Sequence, residues 1–146
     1  QGEYMEDRLV IDDDLRSSVD SWIGDERFQL GYSLRVETDR QNGRRNLLLV
    51  NAYGMATSIE HVGYGVSQLL PIVAQAVLGR EQLIVIEQPE LHAHPKLQAE
   101  LGDLLLAATD EPLKKQFIVE THSENVLLRI MRRLRASHED AEDHQE

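Results

Sequence analysis

Hydrophobic positions along this chain change their period near residue 67. Before it, Phe28-Gln29-Leu30-Gly31-Tyr32-Ser33-Leu34-Arg35-Val36-Glu37-Thr38-Asp39 alternates well enough to predict a strand over 28–39. Asn46 to Asn51 predicts a second strand, and Asn42-Gly43 between them is a hairpin turn signal. An antiparallel hairpin is therefore expected near the N-terminus. From Ser67 the pattern becomes a series of alternating units. Ser67–Leu78 reads as a helix, Leu83–Ile86 as a short apolar strand and Pro95–Ala108 as a helix. Phe117–Val119 reads as a second apolar strand and Ser123–Leu134 as a final helix. Apolar strands separated by helices predict an α/β fold, a parallel sheet covered by helices on both faces.

Charge refines this organisation. The 146 residues carry 15 basic and 26 acidic side chains, a net charge of −11. The acidity belongs to the ends: residues 1–26 hold a balance of −7 and residues 136–146 a balance of −5. The stretch between is close to neutral, so the excess of acid does not bar its middle from facing phosphates. The expected division is an acidic N-terminal segment (1–26), a lobe (27–135) and an acidic, disordered tail (136–146) without large apolar side chains. There is no cysteine, which excludes disulfides, thiolate metal sites and cysteine nucleophiles. No apolar run is long enough for a membrane helix and no signal peptide opens the chain, so no membrane partner is expected and the location implied is cytoplasmic.

Ligands of such sheets bind where strands end and helices begin. Two loops qualify: Glu87-Gln88-Pro89-Glu90-Leu91-His92-Ala93-His94-Pro95 and Glu120-Thr121-His122-Ser123-Glu124-Asn125. Each apolar strand runs straight into a carboxylate, with histidine close behind. An acid at a strand tip is the form of a Walker B element, which holds a nucleotide's Mg2+; a merely solvated Glu87 has the same sequence. His92, His94 and His122 suit a metal-dependent hydrolase, whereas Pro95 favours a cap position for His94. Upstream, Val62-Gly63-Tyr64-Gly65-Val66-Ser67-Gln68 places glycines before a helix start, a setting for an anion. Its Gly65-Val66-Ser67-Gln68-Leu69 lacks the last glycine of a hydrolase elbow, and Ser67 also reads as a helix N-cap. The final helix sets Val126, Leu127, Ile130 and Leu134 on one face, with Arg129, Arg132, Arg133 and Arg135 expected on a solvated basic side.

In order and spacing these three motifs resemble the C-terminal half of an ABC-type ATPase head. The similarity is to AAA ATPases of the overcoming-lysogenization-defect class, related to RecF and the structural-maintenance-of-chromosomes proteins, and covers roughly residues 47–135. It implies ATP and Mg2+ as cofactors. Gly63, Gly65, Ser67 and Gln68 then belong to the signature segment that closes over the γ-phosphate of ATP on the opposite head. Glu87 becomes the Walker B acid and metal-binding residue, Leu91 to Pro95 the D-loop region at the dimer interface, and His122 the switch histidine. Gln88 takes the place where many relatives carry the glutamate that orients water. An amide cannot accept that water's proton, leaving three alternatives: Glu90 takes the part, hydrolysis is slow, or this branch manages differently.

No Gly-x-x-x-x-Gly-Lys-Ser/Thr occurs in the sequence. The resemblance thus implies one half of a head, completed by a Walker A lobe of the same parent protein or of a second chain. Such heads pair through nucleotide and serve DNA repair or defence against phage and plasmids, with DNA an indirect partner. A non-catalytic, nucleotide-dependent interaction module is the alternative.

Overall fold

The computed structural model describes residues 13–24, 26–39, 43–79 and 82–143. They fall into two compact units, residues 1–79 and 80–146. The boundary lies inside the stretch 27–135 expected as one lobe.

In the first unit, α1 (Asp13–Ile23) precedes β1 (Tyr32–Thr38), β2 (Arg45–Asn51) and β3 (Ala56–Ser58). A 3-10 turn (Ile59–His61) then leads to α2 (Tyr64–Val77). The strands form an antiparallel sheet in the order β1-β2-β3. Leu34 pairs with Leu49 and Val36 with Leu47, which puts these four apolar side chains on one face. The expected hairpin is present, but its first strand begins at Tyr32, not Phe28. Left-handed backbone at Gln29 (φ 55°) and Gly31 (φ 69°) breaks the extended run, and Phe28 is buried instead. The turn signal falls partly outside the described residues, which include Gly43 at φ 71° but not Asn42.

Helix α1 packs on this sheet through Val19, Trp22 and Ile23, all buried. Asp20 Oδ1 accepts a 2.6 Å hydrogen bond from the Leu34 N–H, satisfying a backbone donor of the outer strand β1. Trp22 meets Phe28 at 5.8 Å between ring centroids, and the Arg27 guanidinium lies 4.9 Å from the Trp22 ring. The chain leaves α1 through Gly24, where an added Cβ would come within 2.8 Å of the Asp20 carbonyl oxygen. That atom is backbone and cannot swing aside. Gly24→Ala is therefore expected to cost about 1–3 kcal/mol, read as a lower urea midpoint at unchanged slope.

The second unit contains β4 (Leu83–Glu87), α3 (Pro95–Thr109), β5 (Gln116–Glu120) and α4 (Glu124–Asp143). Strands β4 and β5 are parallel and in register from Leu83↔Gln116 to Glu87↔Glu120. Helices α3 and α4 pack together, with Leu101, Leu104, Leu105, Ala108 and Val126 buried. A Cβ at Gly102 would lie 3.2 Å from the Val126 carbonyl oxygen, so this glycine lets the helices approach closely.

Four expectations are corrected here. The parallel pair is not covered on both faces: Leu83, Val85 and Ile118 are 61%, 65% and 58% exposed, while Ile84, Ile86, Phe117 and Val119 are half-buried. The basic side of the last helix is not simply solvated, because Arg129 and Arg133 turn inward to Asp103 of α3. Leu127 and Leu134, assigned to the apolar face, are instead about half exposed (50% and 48%). The last helix also runs to Asp143, through most of the segment expected as a disordered tail. Nothing after Leu134 terminates a helix: residues 135–143 contain neither Gly nor Pro.

Asp103 is 6% exposed and carries most of the polar contact between the two helices. Arg129 grips both of its oxygens, with Nη2 at 2.6 Å from Oδ2. Arg133 adds Nε at 2.8 Å from Oδ1. Burial alone pushes the Asp103 carboxyl up, but the hydrogen bonds and charges of both arginines outweigh it and hold the group at about 2.

Candidate functional site

Glu87 ends β4 on the open face of the parallel pair, in line with Leu83 and Val85. Across the register stands Glu120, also exposed, at the tip of β5. Neighbouring like charges on adjacent strands repel, and a hard divalent cation relieves that repulsion through the same oxygens. The pairing of Glu87 with Glu120 comes from the register, and the order of residues alone did not disclose it.

Beyond Glu87 the chain turns sharply. Gln88 adopts left-handed backbone (φ 45°), while its N–H donates to the Glu120 carbonyl at 2.8 Å and prolongs the ladder by one rung. Two further bonds, Leu91 N–H to the Gln88 carbonyl (3.1 Å) and Ala93 N–H to the Glu90 carbonyl (3.0 Å), close the turn. His92 is also left-handed (φ 61°). His94 caps α3: its Nδ1 accepts from the Lys96 N–H at 3.3 Å, ahead of Pro95 in the first helical position. Among the described residues no group of three His, Asp or Glu side chains is placed to hold a metal ion, so His92, His94 and His122 do not assemble a hydrolase centre.

The second loop carries its own caps. Thr121 Oγ1 accepts from the Ser123 N–H (3.0 Å), and Ser123 Oγ accepts from the Val126 N–H (3.2 Å) at the start of α4. Glu90 bridges the two loops, its Oε1 accepting a 2.8 Å hydrogen bond from the His122 N–H. The other oxygen, Oε2, is enclosed and makes no hydrogen bond. Burial pushes the Glu90 carboxyl up. The His122 N–H, the nearby Thr121 hydroxyl and the positive charge available to His122 more than offset this, and the group lies below its ordinary range. His122 itself is exposed.

Gln98, which sequence reasoning missed, is a second bridge. Its Oε1 accepts from Ser123 Oγ (2.8 Å) and Asn125 Nδ2 (3.0 Å), and its Nε2 donates to the Ala93 carbonyl (2.9 Å). A glutamine one turn into a helix carries no pattern that marks it as such. Glu87, Gln88, Glu90 and His122 thus gather at one end of the second unit.

Gly63, Gly65, Ser67 and Gln68 belong to the first unit, at the start of α2. The helix begins earlier than expected, at Tyr64 with Gly63 as its N-cap. Gly65 is therefore helical, and Ser67 is not the cap. No side chain caps this end, and a Cβ on Gly63 would meet nothing within 4 Å. The Ser67 hydroxyl donates to the Tyr64 carbonyl at 2.9 Å, and Gln68 is exposed.

The second unit is thus an α/β unit with acid, amide and histidine at its strand tips, and the first holds a glycine-led helix start. Solved structures agree on the fold. An SMC ATPase studied for ATP-driven dimerization and DNA stimulated activation superposes with a TM-score of 0.60 at 16% identity, over 79% of this chain and 71% of that one. The Smc head domain of Pyrococcus furiosus, with an extended coiled coil and bound to the C-terminal domain of ScpA, gives 0.59 at 15% identity. It is matched over 79% of this chain and 29% of its own. The Pyrococcus yayanosii Smc head with a coiled coil and joint gives 0.61 at 15% identity, over 79% and 23%. No curated protein matches the chain. A profile of the AAA ATPase domain matches residues 10–127, and the chain belongs to that family.

Among the described residues no helix is long and apolar enough to cross a membrane.

Proposed function

We propose that residues 80–146 form the Walker B and switch-histidine half of an ATPase head that hydrolyses ATP once a Walker A lobe completes it. One observation carries this reading: Glu87 stands at the tip of β4 on an exposed apolar sheet face, with Leu83 and Val85 behind it and Ile118 alongside. A two-stranded parallel sheet with a bare apolar face calls for another layer. Here that face also ends in the carboxylate a nucleotide's cation requires. The layer is supplied by the same parent protein or by a second chain.

Glu87 would hold the Mg2+ brought with ATP, with Glu120 beside it. When bound, the ion neutralises charge on the phosphates. Gln88 orients the attacking water through its amide, and the His122 ring donates to a γ-phosphate oxygen. The start of α2 closes over nucleotide on the opposite head: Gly63 and Gly65 let the backbone approach, and Gln68 adds side-chain donors. Ser67 joins only by exchanging its bond to the Tyr64 carbonyl for one to phosphate. Two heads thereby clamp ATP between them, as ATP-driven dimerization of the matched SMC ATPase suggests by analogy. A role in DNA repair or in defence against phage and plasmids, with DNA as an indirect partner, follows from the same analogy.

Gln88 favours a second reading, a module that binds nucleotide to close an interface without turnover, since an amide cannot take a proton from water. Native mass spectrometry of the purified protein with and without Mg-ATP, followed by steady-state ATPase assays of any complex found, separates the two. A companion lobe with retained nucleotide and turnover that falls about a hundredfold or more in Glu87→Gln is the expected result. Retained nucleotide without turnover selects the interaction module, and a complex that retains no nucleotide removes both.

A further inference from the structure

We propose that Glu90 and Gln98 are positioning residues: together they clamp the His122 loop from both sides and lock it to the turn that follows Glu87. Glu90 takes the N–H of His122 itself, at 2.8 Å. Gln98 takes the hydroxyl of Ser123 at 2.8 Å and the amide of Asn125 at 3.0 Å, while its own amide holds the Ala93 carbonyl at 2.9 Å. One bridge thus acts on His122 and the other on the residues just beyond it, and both end in the segment 90–98. All of these groups lie within the second unit.

The arrangement answers a physical need. His122 is the exposed middle residue of the three-residue loop 121–123 between β5 and α4, where the backbone has left the sheet ladder and not yet entered the helix. A side chain that must meet a phosphate oxygen in the transition state tolerates little misplacement; an error of about 1 Å costs roughly a hundredfold in rate. A hydrogen bond on the His122 backbone N–H, with side-chain bonds to Ser123 and Asn125 just beyond it, fixes the origin of the ring and leaves the ring itself free to meet the ligand. Glu90 is suited to this and poorly suited to be the base that replaces the missing glutamate at Gln88. Its Oε1 is engaged by a backbone N–H, its Oε2 is shut away from solvent, and its acidity is raised by those same neighbours. A carboxylate so held is a weak acceptor for a water proton. The proposal deepens the reading of His122 as a γ-phosphate contact and rests on it for its catalytic consequence, though not for its structural content.

The structural part is tested on the 146-residue chain by amide hydrogen exchange resolved by residue. Glu90→Ala is expected to speed exchange of the His122 N–H by roughly tenfold or more, the consequence of losing a bond to a charged acceptor. Leu104 and Leu105, in the buried part of α3, serve as controls for global stability and should not change. Glu90→Gln keeps an oxygen acceptor and should restore part of the protection. Gln98→Ala should give the same signature at His122. Unchanged exchange at His122 in Glu90→Ala overturns the clamp, and unchanged exchange in Gln98→Ala removes Gln98 from it.

The catalytic part is tested on the completed head with ATP. Glu90→Ala is expected to lower kcat by about 10–100-fold with KM nearly unaltered, and Glu90→Gln to recover a substantial part of that loss. Glu90→Gln as inactive as Glu90→Ala, with His122 still protected, makes Glu90 the proton acceptor and overturns the proposal. If His122→Ala itself leaves turnover intact, the phosphate-contact reading fails, while the exchange data still decide whether the clamp exists.

Discussion

Replacing His122 by alanine in the completed head is expected to lower ATP turnover by about 10²–10³-fold, the usual effect of deleting one preorganised donor to a developing anion. The magnitude follows from what phosphoryl transfer asks of a protein. Little covalent chemistry is required of the side chains, and catalysis comes from placing positive charge and hydrogen-bond donors around the transferring group. His122 is exposed and follows a parallel strand whose tip is paired with that of β4, so under the proposed function a nucleotide at Glu87 would lie near the same strand ends. Because the contact strengthens as charge builds on the phosphoryl oxygens, kcat should fall far more than KM rises. Steady-state ATP titration of wild type and H122A reads both parameters. A drop of less than about threefold would take His122 out of the transition state, and a raised KM with kcat unchanged would make it a ground-state binding group.

Asp103→Asn is expected to cost about 2–3 kcal/mol of stability and to abolish most of the acid sensitivity of the α3–α4 pair. Asp103 is 6% exposed and accepts from two arginines, so the variant leaves two guanidinium groups facing a neutral amide. Breaking a fully buried pair costs about 3–5 kcal/mol. The Arg129 and Arg133 side chains here are 26% and 53% exposed and can turn to water, which sets the lower figure. The pH dependence has a definite sign. With a carboxyl lowered to about 2 from the ordinary 3.8, the stabilisation is complete above about pH 4 and disappears as pH falls toward 2. That difference corresponds to roughly 2 kcal/mol. Urea unfolding between pH 2 and 6 should show this loss in wild type and a flatter curve in D103N; parallel curves would assign the acid sensitivity elsewhere.

Much of the candidate site was legible in the chain. The acids at 87 and 120 and the histidine at 122 each follow a run of apolar residues, and a strand that ends in a polar loop declares its tip by composition alone. The glycines around Tyr64 marked a helix start, although a propensity argument could not decide whether it lay at Tyr64 or at Ser67. Gln98 was not legible. Its role depends on the distance between α3 and the loop before α4, and no periodicity records such a distance. For the same reason the bond from the His122 N–H to Glu90 Oε1 was not legible.

What the sequence determined by itself is local: the hairpin, the alternation of strand and helix, the cap at His94, and the order of motifs that resembles an ATPase head. These rest on periods, turn residues and caps, whose physics spans a few neighbouring residues. Tertiary structure decided the rest. The last helix was expected to turn Val126, Leu127, Ile130 and Leu134 inward, but the buried Asp103 on α3 draws in Arg129 and Arg133 and leaves Leu127 and Leu134 about half exposed. Apolar strands foretold a sheet covered on both faces, yet among the described residues Leu83, Val85 and Ile118 are exposed. An apolar side chain records that cover is needed, and only packing shows whether this chain provides it.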